Sequence, residues 1–313
     1  MSSDILEEPF HQLLQVLDLT PDGDDAFTGK SMELGWKRIY GGQVIAQALM
    51  AATRTVPGER PVHSLHAYFL RPGDPAQPIH FQVDRLRDGG SFSARHVRAS
   101  QNGRAILTLS ASFKSTEQGL THTDPMQAAP TPEELPSIPE LLEGQLSFLP
   151  EAIKQYWLKR RPLELRPIEL RHYKTRDPLP PLQDIWVRAT LQECLVGAGD
   201  TNLDTNLPEQ PLSEPGLCAA ILAYLSDMTL LDTSLFAHGR SIFDTDLQVA
   251  SIDHAMWFHV PAAGNHLRDL LFYQQSSPAS ARGCGLAQGG IYTRDGLRLA
   301  SVAQEGLIRL RSQ

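Results

Sequence analysis

Apolar residues recur along this chain with two rhythms, and their densest run, Ser213 to Leu231 (SEPGLCAAILAYLSDMTLL), predicts a helix that is apolar on nearly every side. Ser213 suits an N-cap and Pro215 a first turn, and beyond Leu217 only Ser226, Asp227 and Thr229 are polar. Such a helix belongs inside a protein. Helical spacing sets Asp227 beside Ala223, Tyr224, Leu230 and Leu231, where an unpaired charge is costly to desolvate. The carboxylate therefore either pairs within the core or takes part in chemistry.

The same rhythm opens the chain. Ile5, Leu6, Phe10, Leu13, Leu14 and Leu17 recur at helical period and predict a short docking helix. Phe27 to Ile39 reads as a strand and loop, and Gly41-Gly42 opens a second apolar helix, GGQVIAQALMAATRTV, which stops before Pro57-Gly58. The period then changes to two. Val62 to Leu70, Ile79 to Leu86 and Phe92 to Ala99 read as strands, with a turn at Asp88-Gly89-Gly90. Asn102-Gly103 predicts a tight hairpin, because a type I′ turn needs positive φ at both central residues. In the following RAILTLSASF, Leu107, Leu109, Ala111 and Phe113 fall on one face.

Thr116 to Arg161 scatters prolines among acidic and small residues and reads as a linker with a short helix near Leu149 to Leu158. The first pattern then returns. PLELRPIELRHY and DIWVRATLQECL are strand-like, Val196 to Leu212 is a polar loop, and the Asp227 helix follows. Strands are expected at Gln248 to His259 and Leu270 to Gln275, then a strand-turn-strand around Asp295-Gly296. His66-Ala67 is echoed by His254-Ala255, Ser93-Ala94-Arg95 by Ser280-Ala281-Arg282, and Asn102-Gly103 by Asp295-Gly296, at offsets of 188, 187 and 193. This order and spacing predict one α+β unit used twice. The division expected is 1–115 for the N-terminal helix and first repeat, 116–161 for the linker, and 162–313 for the second repeat.

Composition narrows the function. The 313 residues are 41% hydrophobic and 20% charged, and the net charge of −8 argues against a general binder of nucleic acid or anionic membrane. No apolar run approaching the ~18 residues of a membrane span is expected, and the acidic N-terminus is unlike a signal peptide. Cys194, Cys218 and Cys284 are odd in number and far apart, which suggests neither a zinc site nor a disulfide framework but a reducing, cytoplasmic setting. Cys218, on the buried helix, reads as a core residue.

Several chemistries lack their motifs. The chain has no G-x-S-x-G, no G-x-x-x-x-G-K-[ST] and no H-E-x-x-H, and Gly283-Cys284-Gly285 is only a fragment of a dinucleotide fingerprint. What remains is a group of polar residues in apolar surroundings. Asp227 stands on the helix, VASIDHAMWFHVP supplies Ser251, Asp253 and His254, and SVAQEGLIRL supplies Gln304 and Glu305. A buried carboxylate, hydroxyl and amide can hold a water between them, the carboxylate taking its proton.

The stretches YGGQVIAQALMAA, HSLHAYFLRPGD, LRDGGSFSARHV, AYLSDMTLL, ASIDHAMWFH and VAQEG closely resemble the acyl-CoA thioesterase II family, the bacterial TesB type, in order along most of the chain. The resemblance implies a tandem double hotdog, an α+β fold in which each repeat wraps an antiparallel sheet around a long central helix. It also implies hydrolysis of acyl-CoA without metal or cofactor, an apolar tunnel for the acyl chain, and a homo-oligomer, dimer or tetramer. The family's Asp, Thr and Gln that activate water fall on Asp227, Ser251 and Gln304, with Ser in place of Thr. The hydroxyl is kept, and only the stiffness of a β-branched side chain is lost. Gln43 and Gln47 on the first helix are taken to mark the first repeat as non-catalytic. Two other readings remain open: an enoyl-thioester hydratase of the same fold, for which His254 is the candidate acid-base partner of Asp227, and a non-catalytic acyl-CoA-binding protein.

Overall fold

The helical period at the N-terminus becomes α1 (Pro9–Leu17), which buries Phe10, Leu13, Val16 and Leu17. The computed structural model describes residues 9–311 apart from 33–36, 58–59, 137, 145–146, 150, 160 and 190–213. Ile5, Leu6, Cys194, the polar loop 196–212 and the N-cap expected at Ser213 lie outside the described residues. Two short strands follow, β1 (Thr20–Pro21) and β2 (Ala26–Gly29), and then the first core helix, α2 (Gly41–Thr53). Every residue of α2 from Gly42 to Ala52 is buried. Gln43 and Gln47 are satisfied inside: the Gln43 carbonyl accepts from the Met32 amide at 3.1 Å, and Gln47 Nε2 donates to the Val16 and Lys30 carbonyls, both at 2.8 Å. They fasten the N-terminal segment to the helix.

Period two then takes over in β3 (Val62–Phe69), β4 (Ile79–Asp88), β5 (Phe92–Gln101) and β6 (Arg104–Lys114). Leu107, Leu109, Ala111 and Phe113 all face the core, and Asn102 and Gly103 turn the hairpin at φ 48° and 73°, the positive pair that a type I′ turn requires.

The proline-rich segment is packed along much of its length. It holds α3 (Ile138–Glu143) and α4 (Glu151–Leu158), and Leu141, Leu142, Leu149 and Trp157 join the main core. Residues before α3 lie on the outer face of the second repeat. There Met126, Ala129 and Leu135 cover Trp186 and Phe272, and Trp186 Nε1 donates to the Pro130 carbonyl at 3.0 Å.

The second repeat runs through β7 (Leu163–Pro167), β8 (Leu182–Ala189), α5 (Pro215–Ser226), α6 (Thr233–Phe236), β9 (Leu247–Ser251), β10 (Asp253–Phe258), α7 (Gly264–Arg268), β11 (Leu271–Ala281), β12 (Cys284–Tyr292) and β13 (Arg298–Leu310). Residues Gly216–Phe236 are long and apolar enough to cross a membrane, contrary to expectation, but 78% of that window is buried inside the protein. It is a core element. The strand expected from Gln248 to His259 is broken at Ile252, whose amide donates to the Glu305 carbonyl at 2.9 Å. Beside the break the Glu305 amide donates to Asp253 Oδ1 at 2.7 Å, so Asp253 supports the chain and Glu305 contributes its backbone there.

Hydrogen-bonded neighbours follow the order β1-β2-β4-β5-β6-β3-β10-β13-β12-β11-β8-β7, with β9 on the far half of β13. Each half wraps one core helix, and the two sheets join where β3 pairs antiparallel with β10. In that seam His254 pairs with Ala67 and Ala255 with His66, so the repeated His-Ala dipeptides face each other across a pseudo-twofold axis. The Asn102-Gly103 and Asp295-Gly296 turns are also equivalent, both joining the last two strands of a repeat. The Ser-Ala-Arg echo is not. Arg95 lies fully buried in β5, donating to Thr55 and Asp88, whereas Arg282 sits exposed in the turn after β11 at φ 55°.

Candidate active site

The helix expected to run to Leu231 ends at Ser226, and Asp227 is its C-cap. Its terminal carbonyls are taken by phenols from other elements: Tyr40 Oη donates to Tyr224 O at 2.9 Å and Tyr273 Oη to Ser226 O at 2.7 Å. Two residues on, Thr229 adopts φ 68°, a left-handed conformation that a β-branched residue disfavours. Gln275 Nε2 holds it there by donating to its Oγ1 at 2.8 Å. The neighbours of Asp227 are consequently set by this reversal rather than by helical period.

The reversal turns Asp227 toward the first repeat. The Gly42 amide, in the first turn of α2, donates to its carboxylate, and the helix end is electropositive there. A Cβ on Gly41 would lie 2.8 Å from Asp227 Oδ2, so the close approach requires glycine. From the other side Gln304 Nε2, on β13, donates to Asp227 Oδ1 at 2.6 Å and to Ser251 Oγ, at the end of β9, at 3.0 Å. The three residues singled out in the sequence are thus joined through one amide group. The Asp227 side chain is 6% exposed, and burial raises its carboxyl to about 6 against the downward pull of the Gln304 and Gly42 hydrogen bonds.

His254 stands behind the carboxylate. It is fully buried, with Nε2 2.8 Å from Ser226 Oγ and Nδ1 3.9 Å from Asp227 Oδ1. Burial pushes its pKa down to about 3, which leaves the ring neutral.

Asp227, Ser251 and Gly41 open onto a cavity of about 840 Å³ between the repeats. The first repeat contributes Phe69 and three cations, Lys37, Arg38 and Arg71, to its wall. Leu231, Asp232, Ile242 and Val249 come from the second repeat, and Tyr156 comes from α4. Sequence reasoning identified the carboxylate, hydroxyl and amide but missed the glycine amide and the two carbonyl-capping phenols. Only the Gly41-Gly42 pair offered a signal, as a helix start too small to protect its own amides. Among the described residues, no group of three or more His, Cys, Asp and Glu side chains is placed to hold a metal ion.

The dyad-related position is different. With Gly42 matched to Gly216 on α5, the counterpart of Asp227 is Thr53, and a Cβ on Gly216 would lie 2.7 Å from Thr53 Cγ2. The Thr53 hydroxyl donates to the Leu49 carbonyl at 2.8 Å within its own helix. Thr53 thus stands where the second repeat has Asp227, while Gln43 and Gln47, expected to mark this difference, bond within the N-terminal segment and α2.

Cys218 is fully buried and burial pushes its thiol up to about 11. Cys218→Ala is expected to leave turnover within about threefold of wild type, roughly 0.7 kcal/mol in barrier. Thiol release at saturating substrate checks this, and a hundredfold loss in folded protein would make the thiol a participant.

A double core helix wrapped by one continuous antiparallel sheet is the architecture of the hotdog proteins. A hotdog-fold protein of unknown function from Alicyclobacillus acidocaldarius shares it at TM-score 0.72 and 18% identity, over 96% of this chain and 99% of that one. Sequence similarity narrows the class. The profile of the acyl-CoA thioesterase N-terminal domain matches residues 31–114, and the acyl-CoA thioesterase profile matches residues 205–307. Acyl-CoA thioesterase 2 of Haemophilus influenzae is 36% identical over 98% of this chain and 99% of its own length. Human acyl-coenzyme A thioesterase 8 is 34% identical over 95% of this chain and 89% of its own. The acyl-CoA thioesterase II TesB2 structure from Mycobacterium marinum matches at TM-score 0.71 and 35% identity, over 96% of this chain and 99% of that one. The chain belongs to the TesB-type acyl-CoA thioesterase family and is a thioester hydrolase.

Proposed function

We propose that the protein cleaves acyl-CoA by direct attack of a water molecule that Asp227 deprotonates. The observation that carries this reading is the Gln304 amide, which ties Asp227 Oδ1 to Ser251 Oγ at the cavity surface. A water there can donate one hydrogen to the carboxylate and be oriented by the hydroxyl. Its oxygen bonds to the thioester carbon while its proton passes to Asp227, and the Gly41 amide on the same wall is the donor we assign to the oxyanion. Collapse of the tetrahedral species breaks the carbon–sulfur bond, and the proton held by Asp227 goes to the departing thiolate. A carboxyl near 6 suits both transfers close to neutral pH. The cationic wall suits the phosphates of CoA.

The hydratase reading needs an imidazole against the substrate. His254 supports it poorly, since the ring is fully buried behind Asp227 and is not part of the cavity wall. Thiol release from saturated acyl-CoA, with enoyl-CoA added as competitor, separates the two. Hydration of the enoyl group without thiol release would overturn hydrolysis. Ser251→Ala and Gln304→Ala are each expected to lower turnover about 10- to 100-fold, less than loss of the base, and to add little in an Asp227→Asn background, because groups that position one water act as a unit. Additive losses in the double variants would show separate roles.

A further inference from the structure

Five residues past Asp227 the same cavity holds a second carboxylate in different company. Asp232 precedes α6, where an aspartate ordinarily accepts a hydrogen bond from the first amides of its own helix. Here its backbone is already helical, φ −56° and ψ −37°, and its side chain makes no cap bond. The carboxylate lines the cavity instead. Among the described residues it has neither a salt-bridge partner nor a hydrogen-bond donor, while its charge opposes ionisation of the neighbouring Tyr156 and Tyr173 phenols. Burial alone pushes its carboxyl up to about 7.

Its surroundings indicate which part of a substrate passes it. Leu231 adjoins it in the chain, the Tyr156 ring feels its charge, and Ile242 and Val249 line the same cavity from the second repeat, an apolar surface of the kind an acyl chain requires. The cations lie on the wall built by the first repeat, and a carboxylate would repel the phosphates that Lys37, Arg38 and Arg71 attract. Asp232 is therefore a polar interruption in an apolar acyl surface. Methylene groups laid over it would strip its remaining water and give back no hydrogen bond, which offsets what those methylenes gain by burial.

We propose that Asp232 is a specificity-determining residue that selects against long unbranched alkyl chains in the acyl site. The proposal rests on the hydrolytic reading above and concerns selectivity alone, since Asp232 touches neither Asp227 nor the amide that joins it to Ser251 in any hydrogen bond. The test compares kcat/KM for lauroyl-CoA and butyryl-CoA in wild type, Asp232→Leu and Asp232→Asn. Leucine removes the polar group, and asparagine removes only the charge while still suiting a helix start.

The lauroyl-to-butyryl ratio is expected to rise about tenfold in Asp232→Leu and by a smaller factor in Asp232→Asn, with butyryl-CoA turnover within about threefold of wild type, the scale of one unmet hydrogen bond. Thermal midpoints of both variants establish that folded protein is compared. If the leucine variant fails to fold, the asparagine variant carries the test alone. A ratio within twofold of wild type in every folded variant, or equal changes for both substrates, would overturn the proposal. Wild-type protein that releases thiol from neither substrate would instead remove the hydrolytic reading, so the two failures are distinguishable.

Discussion

Asp227→Asn is expected to lose about 10²- to 10⁴-fold in turnover, the usual scale for removing a general base, without loss of stability. The asparagine keeps the size and reach of the aspartate but cannot take a proton. Its effect on stability has a definite sign. Burial holds the native carboxyl near 6, above the ordinary carboxylate value near 3.9, so the folded state binds more protons than the unfolded chain between those values. Ionising Asp227 therefore lowers stability progressively from about pH 4 to pH 6, by on the order of 2–3 kcal/mol, and that cost persists above pH 6. The variant should escape this cost and denature later than wild type at neutral pH, with less advantage near pH 4. A carboxylate whose only task was to pair within the core would behave oppositely. Its loss would lower stability by a few kcal/mol, and turnover per folded molecule would stay normal. Turnover and urea midpoints of the two proteins at acidic and neutral pH decide between these outcomes.

The same ionisation shapes the activity profile. On the proposed mechanism Asp227 must be deprotonated to act, so kcat/KM should fall about tenfold per pH unit below pH 6 and level off above it. An acid limb centred near 4 would mean that Asp227 titrates as an exposed carboxylate.

Gly42→Ala is the second large effect expected, and it acts on the fold. A Cβ at this position would lie 2.5 Å from the Tyr224 carbonyl oxygen and 2.6 Å from the Tyr40 ring. The oxygen belongs to the backbone of α5 and already accepts from Tyr40 Oη, so it cannot swing aside. The helices must separate, at a cost of about 1–3 kcal/mol for an overpacked core. Separation also withdraws the Gly42 amide from Asp227, so turnover should fall in the molecules that do fold. A fully active Gly42→Ala protein with a wild-type denaturation midpoint would show that the two helices accommodate the added methyl without separating.

Much of the fold was legible because its determinants are local. Period-two runs such as Leu107 to Phe113 place their own side chains, and Asn102-Gly103 dictates its own turn. Asp227, Ser251 and Gln304 were legible for another reason: each is a polar residue in an apolar run, a pattern that Asp253, His254 and Glu305 share, and only the resemblance to the thioesterase family separated the three from the rest. The end of α5 was not legible. It depends on Tyr40 and Tyr273, one 184 residues away from the carbonyl it caps and the other 47, and no local pattern announces which phenol will reach which carbonyl. The packing of the proline-rich segment was hidden for the same reason. Its apolar residues are sparse, and Trp157, Tyr156 and Met126 acquire meaning only against the surfaces that receive them.

Thr53 has a consequence for counting. The seam at His66-Ala67 and His254-Ala255 relates the two halves so closely that two equivalent reaction centres per polypeptide would be the natural result of the duplication. At the mirrored position a threonine stands in place of the aspartate, and its hydroxyl is already committed to the Leu49 carbonyl. On the mechanism proposed above, the polypeptide carries one reaction centre for its two repeats, a ratio fixed by covalent construction. A tight, non-hydrolysable thioester mimic should titrate to one equivalent per chain, and the burst from an enzyme assembled from many chains should count chains rather than repeats.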